Sequence, residues 1–148
     1  MAVNTFSVPE LYKIEAFGKL IIERSNREDH VHLLIYEAPG PNGEKGLEAA
    51  CLDWGLFSWG LSLDDALFDI STMCLEFLLE SSAEHIAEES ASHDMDEFRS
   101  IYRKMVAIFG EPKEREVELI PPEHSGLTLK PQARFRTIRA NERQQLSS

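Results

Sequence analysis

His30 and His32 are the residues best placed by type and spacing to do chemistry: two imidazoles on one face of a strand, with Asp29 beside them. A His-x-His pair can ligate a metal only with third and fourth ligands, and no HExxH or other ligand-spaced cluster accompanies this one. The expectation is a solvated strand face and no metal. His85, His93 and His124 stand alone and receive no role. Cys51 and Cys74 lie among apolar residues with no CxxC pair, so they read as buried free thiols. The acid pairs Asp64-Asp65 and Glu88-Glu89 are adjacent in sequence and splay apart on a helix, which suits a helix N-terminus and a solvated face. No GxSxG, GxxxxGK[ST] or GxGxxG occurs. The stretch GPNGEKG at 40–46 lacks a strand-loop-helix setting and reads as turn chemistry. The chain does not read as an enzyme, and no cofactor is expected.

Recognition is better supplied than catalysis. Trp54, beside Asp53 at a tight hairpin turn, is a candidate exposed anchor, since Trp is enriched where partners bind. The competing reading packs Trp54 against a neighbouring loop. Phe57 and Trp59 share a strand face and are expected to cover the helix that follows. In the last segment Arg134, Arg136, Arg139 and Arg143 interleave with Phe135 and Ile138. Such a segment suits a nucleic-acid backbone, an acidic partner or the chain's own acidic body, and the self or protein reading is favoured.

These residues need elements to hold them. The chain has 148 residues, 43% hydrophobic and 28% charged, which fits one soluble α+β domain. No secretory signal or membrane-spanning run is evident, so the cytoplasm is the expected compartment. The net charge of −11 is uneven. Residues 121–148 hold five Lys/Arg against two acids and carry +3, which leaves −14 on residues 1–120. Strands are expected at Ile14–Glu23, weakened by Gly18, and at His30–Tyr36, with a loop at 39–43. A hairpin follows at Leu47–Asp53 and Leu56–Trp59. Ser62 caps a helix to about Leu79 whose apolar stripe runs Leu63, Ala66, Leu67, Ile70, Met73, Cys74, Phe77 and Leu78. A second helix spans about Asp94–Phe109, stopped by Gly110 and Pro112. Glu114–Ile120 alternates as an edge strand. The expected fold is an antiparallel sheet of about four or five strands with both helices on one face. Residues 121–148 are expected to form a basic, flexible tail.

The order Glu48–Asp53, then Phe57-Ser58-Trp59-Gly60, then Ser62-Leu63-Asp64-Asp65-Ala66-Leu67 resembles the HicB-like antitoxin domain, a partial RNase H-like α+β fold. The resemblance covers about residues 31–79. It departs from the family in its Leu52-Asp53-Trp54-Gly55 turn, in an extra N-terminal strand, and in having no segment after Ile120 suited to a DNA-reading domain. What the resemblance implies is a non-enzymatic protein that neutralises a small basic, toxin-like protein partner through an acidic surface. Asp53, Trp54 and the four tail arginines are the candidate contacts. A homodimer is expected from the broad helix stripe and the edge strand. The alternatives are a stand-alone interaction or immunity-type protein, or an RNA-associated module using the tail. Membrane association is not expected.

Overall fold

Two long strands form the middle of the molecule. β1 (Ile14–Arg24) and β2 (Arg27–Pro39) pair antiparallel from Ile14↔Tyr36 to Arg24↔Arg27. The computed structural model describes residues 8–24, 27–113, 115–118 and 130–146. β3 (Lys45–Cys51) pairs with β2, and β4 (Leu56–Gly60) pairs with β3. β5 (Arg115–Glu118) and β6 (Lys130–Thr137) complete one antiparallel sheet in the order β4-β3-β2-β1-β6-β5. The fold is therefore α+β, as the residue pattern indicates, with six strands among the described residues where four or five were expected.

The sixth strand lies in the segment expected to be a loose tail. β6 pairs along β1 from Ala16↔Thr137 to Glu23↔Lys130 and buries Ala133 and Phe135 in the core. Gly18 is the reason it fits. A Cβ there would lie 2.3 Å from the Arg134 carbonyl oxygen and 2.6 Å from the Phe135 Cβ. The glycine that weakens a strand on propensity is here what lets a neighbouring strand approach. β5 holds the edge position expected of the 114–120 segment, though only residues 115–118 of it are described.

Among the described residues, four α-helices cover the sheet, on both faces. α1 (Leu63–Glu80) begins where the sequence indicates, with Ser62 Oγ accepting the Asp65 backbone N–H at 3.2 Å. α2 (Ala83–Ala91) is capped the same way by Ser82, whose Oγ accepts the His85 N–H at 3.1 Å. α3 (Asp96–Phe109) ends at Gly110, which has a φ of 86°. α4 (Ala140–Leu146) closes the described chain.

The core divides between the faces. Ala16, Leu20, Val31, Leu33, Ile35, Ala49 and Cys51 pack under α1 with Leu67, Ile70, Cys74 and Leu78. Phe17, Leu34, Tyr36, Ala50 and Leu52 pack under α3 with Phe98, Ile101, Tyr102 and Met105. The expectation of both helices on one face is thus corrected. The physical cause is visible in the run Val31-His32-Leu33-Leu34-Ile35-Tyr36, where apolar residues do not alternate with polar ones. Such a strand is buried on both sides and needs a layer on each. Phe57 and Trp59 are corrected likewise. Phe57 packs on Phe98 of α3 rather than on α1, ring centroids 5.6 Å apart. Trp59 donates its indole N–H to the Ala38 carbonyl at 2.9 Å and lies against Gly40 and Gly46.

Candidate functional site

The outer surface of α1 and α2 is built by the same helical spacing that builds the core. With Ala66, Leu67, Ile70, Cys74 and Leu78 turned to the sheet, Asp64, Asp65, Phe68, Asp69, Glu76 and Glu80 fall on the exposed side. Glu84 and Glu88 of α2 extend the surface. No lysine or arginine occurs anywhere between Lys45 and Arg99. One whole layer of the molecule is therefore acidic without an internal counter-charge. Solvent tolerates this, and the summed field attracts cations over the Debye length.

Within that field stands an aromatic ring. Phe68 is 54% exposed and is flanked by Asp64, Asp65 and Asp69, with Thr72 one turn on. The ring stands on the continuous helix α1, where the Thr72 hydroxyl donates to the Phe68 carbonyl at 2.9 Å. Leu61, just ahead of the Ser62 cap, is 69% exposed. A large apolar side chain costs free energy when left in water, roughly 1.5–3 kcal/mol for a residue of this class. An apolar ring within an acidic rim has the anatomy of an interface anchor.

The residues singled out from the sequence sit elsewhere. Trp54 is only 5% exposed, its ring stacked 4.9 Å from that of Phe77 and its indole N–H donating to Ser90 Oγ at 3.1 Å. It joins α1 to α2 and is not an exposed anchor; the packing reading holds. Asp53 accepts the His32 backbone N–H at 2.6 Å and faces the His32 Nδ1 at 3.2 Å. His32 is thereby tied to the turn after β3 while its side chain stays 34% exposed, and His30 lies exposed beside Glu28 at 2.6 Å.

The tail arginines turn back on the chain. Arg134 pairs with Glu116 at 3.2 Å, and Arg136 with Glu142 at 2.7 Å. The Arg136 guanidinium also lies 4.3 Å from the Phe109 ring centroid, a cation–π contact. Arg143 reaches Glu15, and also Glu37 at 3.1 Å, while the Arg139 backbone N–H donates to Glu142 at 3.1 Å. Arg136 and the Arg139 N–H together hold the Glu142 carboxyl below its usual range. Arg134, Arg136 and Arg143 are thus committed to the chain's own acids, and these pairs involve no residue of the α1–α2 layer.

Ionisation elsewhere follows burial. The neighbouring Cys51 thiol and burial hold the Cys74 thiol well above its ordinary value, and both cysteines are buried and unpaired. Burial and the hydrogen bond it donates to Glu48 raise the Tyr36 hydroxyl, and burial raises Glu48. None of these groups reaches the acidic face.

Residue type marks neither Phe68 nor Leu61 as a contact. Phe68 widens an apolar stripe that looks as though it must be covered all round, and only the packing shows which side stays bare. The cation-free run from residue 46 to residue 98 is legible in the sequence itself. Comparison with known protein families, curated proteins and solved structures returns no match for this chain. Among the described residues, no helix is long and apolar enough to cross a membrane.

Proposed function

We propose that this chain is a non-enzymatic binding protein that captures a small basic protein on its α1–α2 face, with Phe68 as the apolar anchor. The observation that carries this reading is the acidic layer itself, free of Lys and Arg from the start of α1 at Leu63 to the end of α2 at Ala91, with an exposed aromatic ring inside it. A basic partner supplies the missing counter-charge, is steered onto the face, and covers the ring. Nucleic acid is repelled by the same field, and Arg134, Arg136 and Arg143 are already engaged by Glu116, Glu142, Glu15 and Glu37. The order β2, β3, β4, α1 is also the order in which the HicB-like resemblance runs. That resemblance favours a toxin-like partner, small and basic, over a large assembly.

The test is affinity capture from the native cell lysate by the tagged chain, run beside the Phe68→Ala variant and the Asp64→Lys/Asp69→Lys double variant. The reading expects one small basic protein at near-equal stoichiometry with wild type, lost from both variants, and no bound nucleic acid. Retention of nucleic acid with the charge-reversed variant would move the RNA-associated reading ahead. A protein captured equally by all three chains would place the contact on another surface.

A further inference from the structure

On the sheet face opposite the acidic layer, a cleft of about 360 Å³ opens between β2, the turn after β3, and α3. Its volume lies at the lower end of the range of about 300–1,000 Å³ typical of small-molecule sites. Leu52, Val106 and the Tyr102 ring give it an apolar lining. Arg99 and Arg103, four residues apart on α3, enter it from one side. Arg99 is fixed by the Ser92 carbonyl at 2.7 Å and by Asp96 at 3.0 Å, so its guanidinium is already oriented.

The polar groups of the cleft are unequally satisfied. Its two carboxylates already face donors: Asp53 has the His32 N–H at 2.6 Å and Nδ1 at 3.2 Å, and Glu111 has Lys19 Nζ at 3.5 Å. Tyr102 differs. Its Oη is buried with no hydrogen-bond partner among the described residues, and its ring meets that of His32 edge-on at 5.1 Å. Burial, with Glu111 and Asp53 nearby, raises its hydroxyl above the usual phenol range, so it stays a proton donor. An unmet buried hydroxyl costs about 1–3 kcal/mol. Beside two guanidinium groups, it leaves the cleft with donors in surplus. Asp53 and Glu111 nevertheless repel a dianion, which favours a single negative charge.

We propose that this cleft binds a small monocarboxylate with an apolar body, the carboxylate on Arg103 and Arg99 and the body over Leu52, Val106 and the Tyr102 ring. The guanidinium fork matches a carboxylate in two-point geometry. The site is separate from the acidic face and is tested separately.

Benzoate, phenyl phosphate and benzylamine are titrated into the whole chain while backbone amide NMR spectra are recorded. Benzoate should shift the amides of Leu52, Asp53, Arg103 and Val106 saturably, with a Kd of about 1 mM or tighter. Phenyl phosphate should bind at least about fivefold more weakly, and benzylamine not at all. Arg103 is exposed, so Arg103→Gln should keep the wild-type spectrum and weaken benzoate about tenfold. Tyr102→Phe, which keeps the ring, should weaken it by a smaller factor. No saturation by benzoate up to about 20 mM, or benzoate binding unchanged by Arg103→Gln, would overturn the proposal. Tighter binding of phenyl phosphate or benzylamine would overturn the choice of a monocarboxylate.

Discussion

Trp54 shows how a residue's type can be read correctly and its place wrongly. An indole beside a hairpin turn fits an exposed anchor, but this one closes the gap between α1 and α2 through Phe77 and Ser90. Trp54→Phe should cost about 1 kcal/mol through the lost hydrogen bond. Trp54→Ala should cost about 3–5 kcal/mol through the cavity, both read by urea denaturation. Phe68 is the converse. Its ring faces water, so Phe68→Ala should leave stability within about 0.5 kcal/mol of wild type while weakening partner binding about tenfold or more. Gly46 carries a sharper prediction. A Cβ there would lie 2.1 Å from the Trp59 ring, so Gly46→Ala must push that ring off the Ala38 carbonyl. A loss of about 1–3 kcal/mol in thermal or urea melts is expected. Neither Phe68's exposure nor Trp59's fit over Gly46 follows from residue type, because each depends on which neighbour arrives from a distant part of the chain.

At the scale of elements, α1 and α3 were legible almost to their ends, since caps, apolar spacing and the Gly110 stop are local features. β6 was not. Its alternation of Ala133 and Phe135 with Arg134 and Arg136 is a strand period of two, but arginines on a short stretch after a long polar interval look like a tail. The pairing that makes it a strand comes from β1, more than a hundred residues earlier. Removing residues 130–148 should therefore strip a strand from within the sheet and abolish cooperative unfolding by near-UV circular dichroism. A flexible tail would leave the melt unchanged. Such a deletion is no clean way to remove the arginines, and point substitutions are needed. The junction of β6 and α4 also gives a pH dependence. Glu142 is held below the ordinary carboxyl range by Arg136 and the Arg139 N–H. A depressed carboxyl contributes stability above its unfolded value and loses it as pH falls through the folded one. The stability gap between wild type and Glu142→Gln should be full near neutral pH. It should start to close below about pH 4.5 and vanish once the pH passes under the folded-state value.

For the molecule as a whole, the charge distribution carries the functional account. Composition alone gives −11 and a basic C-terminal segment, which invites a picture of acidic body and free basic arm. The fold redistributes those charges. The arm is folded into the sheet with its arginines paired, and the uncompensated acid is gathered on the α1–α2 layer. The broad stripe of α1, which seemed to need a second copy to cover it, is already met by the sheet, Trp54 and Ile86 of α2. What remains unmatched on that layer is negative charge and Phe68. The most direct measurement is the affinity of the captured basic protein for wild type, for Asp64→Lys/Asp69→Lys on α1, and for a control that reverses Glu97 on α3. The account predicts that the α1 reversal weakens binding at least about tenfold, chiefly in the association rate and most at low salt, while the α3 control changes it by less than about twofold. Equal effects from the two reversals, or none from the α1 pair, would contradict it.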